Sequence, residues 1–225
     1  MVDNNDLARN ILHREDFCGA MTLATSAHQG SRYIIADTSS SGTPTYTVGG
    51  IGGEATLAFD ATNEAQNVCL YMGDVLNFDI DKIYEIRLRV KMGQAALDAT
   101  SSVAFGLGSA RNDDPDSIAA AAMFRVIGSA DTTAVVCESD DGVNNNDDVA
   151  SGVALSNSYK EFKINFAGGT SKVKFYIDGS QVASSTTFNM SNYTAGLQPF
   201  VQLQKTADTN TDSVVIDYVI IEGKR

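Results

Sequence analysis

Between Ile83 and Met92 the chain alternates strictly. Tyr84, Ile86, Leu88, Val90 and Met92 fall on one side of an extended backbone, and Glu85, Arg87, Arg89 and Lys91 on the other. A helix would scatter those four charges around its girth, whereas a strand sorts them onto one face. The stretch therefore predicts a half-buried strand, long enough at about 3.3 Å per residue to cross a large sheet. The same period of two recurs at Ser102–Gly108, through Val103, Phe105 and Leu107. It returns at Tyr159–Phe166, where Phe162, Ile164 and Phe166 oppose Glu161, Lys163 and Asn165.

A hairpin follows in Lys172–Val182. Val173, Phe175 and Ile177 alternate with Lys172, Lys174 and Tyr176, and Asp178-Gly179 supplies the positive φ angles of a tight turn. Leu197–Leu203 and Ser213–Glu222 read as the C-terminal strands. The last is apolar at nearly every position, which predicts cover on both faces. Weaker strands are expected at Arg32–Ala36, Ala55–Phe59, Val68–Met72 and Thr133–Cys137. Ile118–Val126 carries four alanines; we read it as a strand on a crowded sheet, with a one-turn helix as the alternative. The polar stretches Thr38–Pro44, Gly49–Gly53, Arg111–Asp116, Ser139–Ser151 and Lys205–Asp212 read as loops, the second as a mobile turn.

Nineteen Gly against three Pro in 225 residues suits many short strands and turns. The expected fold is an all-β antiparallel sandwich of the jelly-roll kind, a single domain over residues 21–225. Residues 1–20 are expected to form a short N-terminal arm or helix. Leu7, Ile11 and Leu12 have helical spacing after Asp6, and Gly19 would end the element.

Chemistry is sparse. A net charge of −12, with the Lys and Arg residues scattered, argues against nucleic acid as a partner. No apolar run approaches the ~20 residues of a membrane helix. The N-terminus lacks a basic, apolar leader, so synthesis and folding in a reducing cytosol are expected. Cys18, Cys69 and Cys137 form neither a disulfide framework nor a metal knuckle, and Cys69 and Cys137 read as buried hydrophobes. His13 and His28 lack nucleophile or metal partners and read as solvated. The acidic loops Glu138–Asp148 and Arg111–Asp116 carry oxygen ligands that suit Ca²⁺, yet lack the EF-hand order, so solvated loops are the favoured reading. Glu85 lies beside Arg87 and Arg89 without a second acid on its strand face, which leaves no carboxylate pair for glycoside hydrolysis. There is no Trp, and Tyr33, Tyr46, Tyr71, Tyr193 and Tyr218 have packing as their default role. The sequence therefore offers no catalytic, cofactor-binding or metal-ligating residue.

Tyr176, Asp178 and Gly179 in the hairpin, with Asp217, Tyr218 and Val219 in the final strand, resemble elements of the concanavalin A-like lectin/glucanase superfamily. The resemblance covers about residues 80–222 and implies that fold. The E-x-D-x-x-E strand of its hydrolase members does not occur, so no catalytic residue carries over, and Asp217 reads as a structural carboxylate at the sheet's end. Size, acidity and the absence of a catalytic set also resemble the jelly-roll head-decoration proteins of tailed bacteriophages. That resemblance implies a non-enzymatic virion protein that binds the major capsid protein at the capsid surface as a homo-oligomer. The alternative is a carbohydrate-binding module; a divergent glycoside hydrolase ranks below both.

Overall fold

The computed structural model describes residues 10–19, 21–27, 31–50 and 52–224. Strands account for nearly all of its regular structure. The first half of the chain contributes β1 (Asn10–Glu15), β2 (Ile34–Asp37), β3 (Thr45–Gly49), β4 (Glu54–Ala58), β5 (Glu64–Tyr71), β6 (Phe78–Asp79), β7 (Ile83–Met92) and β8 (Ser101–Gly108). The second half adds β9 (Ala121–Ile127), β10 (Ala134–Asp140), β11 (Asn145–Ala154), β12 (Lys160–Asn165), β13 (Lys174–Ile177), β14 (Ser180–Val182), β15 (Gly196–Asp208) and β16 (Ser213–Gly223).

They form two antiparallel sheets. Sheet A runs β14-β13-β12-β7-β16-β4-β3, and sheet B runs β11-β10-β9-β8-β15-β5-β2. Along one edge of β16, β4 pairs with Ser213–Ile216 and β1 with Val219–Gly223. The inner faces meet in one apolar cluster. Ile86, Leu88, Val90 and Met92 of β7 are fully buried in it, as their alternation predicts. Phe105 and Phe124 of sheet B stand edge-on to Phe162 of sheet A at 4.8 and 5.0 Å between centroids, and Phe124 meets Phe175 at 5.1 Å. Such aromatic pairs add about 0.5–1.5 kcal/mol each beyond their buried area.

The hairpin turn forms as its sequence requires, with φ of 49° at Asp178 and 79° at Gly179. Its carboxylate accepts from the Glu161 backbone N–H at 2.9 Å and from Lys160 Nζ at 3.0 Å, tying the turn to β12.

Several expectations give way. Of the arm and the helix expected at the N-terminus only the helix gives way: Ile11 and Leu12 belong to β1, because the edge of β16 offers ladder hydrogen bonds to an extended segment. Leu7 lies outside the described residues, as does His28. Most of Ser139–Ser151 is strand. β11 is an edge strand that keeps little of itself in the core, so it carries no apolar alternation to read. β15 likewise continues through Lys205 to Asp208. Ala119 and Ala120 precede β9, which is a strand as read. Only one face of β16 is sealed in the core, through Val214, Ile216, Val219 and Ile221. A register shift between Ile216 and Tyr218 places a bulge in mid-strand, and Asp217 sits in it, not at the sheet's end.

Candidate functional site

The outer face of sheet B is built in rows by strand register. Ile127, Ser102, Gln204 and Asn67 lie opposite one another across β9, β8, β15 and β5. Two residues further along, Arg125, Ala104, Gln202 and Cys69 make the next row, followed by Met123, Gly106, Phe200 and Tyr71. The face thus grades from apolar at one end to polar at the other. The connection from β8 to β9 folds back over the apolar end, where Ile118 packs with Cys69, Ala104, Ala121, Met123 and Phe200. This strap is pinned by its main chain: Asp113 O accepts from Asn67 Nδ2 at 2.8 Å and from Gln202 Nε2 at 2.9 Å. Arg111 holds the strap's other flank, donating to Thr38 Oγ1 at 3.0 Å and pairing with Asp113.

Beyond the strap the polar end stays open as a groove of about 500 Å³, lined by Asn67, Ser102, Asp113, Arg125, Gln204 and Thr206 among others. Asn67 Oδ1 is buried on this lining and has no hydrogen-bond partner in the protein. A buried acceptor without a donor costs about 1–3 kcal/mol, which the Nδ2 bond to the Asp113 carbonyl helps to offset.

Arg125, only 8% exposed, is the hub of the wall. Its Nη1 contacts Glu138 Oε2 at 2.7 Å, Asp116 Oδ1 at 2.9 Å and Asp148 Oδ1 at 3.5 Å. Burial pushes the Glu138 carboxyl up to about 7 against the pull of Arg125. Oxygens of Asp116, Glu138 and Asp147 lie within 4.8 Å of one another. The two acidic stretches read as separate solvated loops therefore meet in one cluster, joined through β9 and the β10–β11 register. At the groove's far end Lys205, 4% exposed, sends Nζ into four main-chain carbonyls: Asp60 and Asp208 at 2.8 Å, Asn210 at 3.0 Å and Thr62 at 3.2 Å.

The histidine reading is corrected. His13 is buried: Nε2 lies 2.9 Å from Tyr33 Oη, and Arg32 donates to Nδ1 at 3.3 Å. Burial, with Arg32 beside it, lowers its pKa to about 4, so the ring is neutral at pH 7. It floors a second cleft of about 760 Å³ bordered by Arg32, Met72, Phe78 and Lys224. Cys69 and Cys137 are buried as expected, Cys137 in the main core and Cys69 beneath the strap.

Glu85 lies on the outer face of sheet A, 3.2 Å from Arg87, which also pairs with Glu222 of β16. Register sets Glu222 opposite Glu85, a juxtaposition that one strand could not reveal, and Arg87 pairs with both. The tyrosines are dispersed: Tyr33 in the core, Tyr46 and Tyr193 at its rim, Tyr71 by the strap cluster and Tyr218 on the face of sheet A, bonded to Glu161.

Asn67, Ser102, Arg125 and Gln204 were not singled out from sequence. A signal was present in β15, where Gln198, Gln202 and Gln204 place three amides on one face of an otherwise apolar strand.

No family model and no curated protein matches the chain. Solved structures do. The Emp47p carbohydrate recognition domain superposes with a TM-score of 0.60 at 10% identity, over 86% of this chain and 89% of that one. A structure described among endo-acting O-glycanases of human gut microbiota that initiate mucin breakdown gives 0.63 at 8% identity, over 96% and 100%. The apo Crh5 transglycosylase gives 0.53 at 16% identity, over 97% and 85%. The fold is thus a concanavalin A-like jelly-roll sandwich.

Proposed function

We propose that this chain is a non-catalytic carbohydrate-binding domain whose site is the groove on the outer face of sheet B. The observation that carries the reading is the polar row Ser102–Gln204–Asn67 along the open groove. Neutral amides and hydroxyls of this kind both donate and accept, which matches the hydroxyls of a sugar. Structures of the same fold, named above, include carbohydrate recognition domains and glycan-active enzymes.

The non-catalytic part rests on what the face presents. The outward positions of β9 are Ala121, Met123 and Arg125, and those of β8 and β15 beside it are Ser102, Ala104, Gly106, Phe200, Gln202 and Gln204. No carboxylate stands among these central residues, while a glycosidase needs two at a defined separation. The nearby Glu138 is engaged by Arg125.

A glycan array followed by titration calorimetry tests this. Binding that weakens about ten-fold, roughly 1.4 kcal/mol, in Gln204→Ala without loss of thermal stability is the expected result. No binding across a broad array, or glycan cleavage by the purified protein, defeats it. The capsid-decorating role anticipated from sequence draws no support from the structures named above, whose descriptions concern carbohydrate recognition and glycan chemistry.

A further inference from the structure

Among the described residues, Arg125, Lys205 and Arg111 by the groove are engaged within the protein. Arg125 is shared among Glu138, Asp116 and Asp148. Lys205 is enclosed by four carbonyls. Arg111, on the strap, is paired with Asp113, whose carboxylate lines the opening. Asp147 adds a further acid to the Asp116–Glu138 cluster. Five carboxylates thus stand near three cations, of which Arg125 and Arg111 are paired with acids and the Lys205 ammonium is shut among carbonyls. The upward displacement of Glu138, and of Asp148, reflects burial and this crowding of negative charge.

We infer that the groove admits uncharged glycans and excludes those bearing carboxylate or sulfate groups, a selectivity that rests on the glycan-binding reading above. An anionic sugar would lose hydration on entering and gain no unpaired cation in return. It would also sit within one screening length, about 8–10 Å at ordinary ionic strength, of Asp113 and the Arg125 cluster. An uncharged sugar meets neither cost. The residues Ser102, Ser129, Gln204 and Thr206 line the groove and offer its hydroxyls neutral partners.

The experiment takes the best-binding neutral glycan from the array and the same glycan oxidised at C6 to the uronate. Both are titrated into the full chain at about 20 mM and about 0.5 M NaCl, between which the screening length falls from roughly 20 Å to about 4 Å. The neutral glycan is expected to bind with a Kd unmoved by salt. The uronate should bind roughly ten-fold more weakly at low salt and recover at high salt. Asp148→Asn, which preserves shape at a backbone φ of 49° that Asn tolerates, should narrow the gap at low salt. A Ser102→Trp variant, filling the groove, should abolish binding of either glycan. Uronate binding equal to or tighter than neutral binding at low salt, lost in Ser102→Trp, overturns the charge selectivity and leaves the glycan-binding reading standing. Absence of binding by any glycan, neutral or anionic, overturns both.

Discussion

Arg125 on β9 and Glu138 on β10 meet at 2.7 Å beneath the rim of the groove, and both side chains are withdrawn from solvent. Their pairing joins two neighbouring strands, and through Asp116 it reaches the strap that covers the apolar end of the same face.

Glu138 gives the fold a pH dependence. Its folded pKa, raised by burial to about 7 from an ordinary 4.5, means that the native state holds this proton more tightly than the unfolded chain. Its contribution to stability is complete below about pH 4.5 and lost as pH rises through 7. Glu138→Gln removes the titration but keeps an acceptor for Arg125. The Tm of this variant relative to the parent is therefore expected to climb between pH 5 and pH 8, as read by thermal melts in matched buffers. A difference that stays flat would contradict the assignment.

Removing the other partner is more severe. Arg125→Met would leave Glu138 buried beside Asp116 and Asp148 with no cation among them. Stranding a buried charge costs about 3–5 kcal/mol, visible as a lowered midpoint in urea unfolding at pH 8. The loss should shrink at pH 5, where Glu138 is protonated.

Lys205 performs at one end of the sandwich the work that a bound cation would do. Its ammonium holds the β4–β5 connection, through Asp60 and Thr62, against the end of β15 at Asp208 and the β15–β16 connection at Asn210. Lys205→Met preserves the aliphatic stem but strands several carbonyls at about 1–3 kcal/mol each before water enters. A loss on the order of 3 kcal/mol is expected in chemical unfolding, with faster hydrogen exchange in residues 59–63 and 208–212.

Thiol accessibility gives a rapid check on the packing. Cys18 is exposed, while Cys137 is buried, its thiol pushed up to about 12, and Cys69 is driven up still further by burial. Ellman's reagent should titrate one thiol in the native protein and all three in guanidinium. Rapid reaction of a second native thiol would show that the core or the strap is not closed as described.

Phe124 tests the seam between the sheets. It stacks with Phe105 and stands edge-on to Phe162 and Phe175, so Phe124→Ala opens a cavity touching both sheets. About 3–5 kcal/mol of stability should be lost, measured in urea.

Local periodicity made the sandwich legible. The bounds Ile83–Met92 match β7 to the residue and its alternation holds from Ile86 onward, with Ile83 and not Tyr84 entering the core at its start, while Asp178-Gly179 marks a turn that no ordinary pair of residues adopts as readily. Both signals are written in neighbours along the chain, where side-chain direction follows from backbone geometry alone. Edge strands escaped notice for the same reason. β1, β3 and β11 expose much of their length and therefore owe the core no fixed pattern.

The groove was not legible in this way. Asn67, Ser102, Arg125 and Gln204 come from four strands, and only strand order and register set them side by side. Even the three glutamines of β15, which share one face with Phe200, gave no hint of what would lie over or beside them.

The sequence by itself determined that this chain forms strands with one oily face, and hence a sheet that must be covered by another. The tertiary structure alone decided that Asp116, Glu138 and Asp147 share one cluster around Arg125, and that a strap leaves a polar groove open beside them. The physical reason is range. Burial of alternating side chains is settled within a few residues, whereas a site assembled from residues 67, 102, 125 and 204 exists only once long-range pairing has fixed which strands are neighbours.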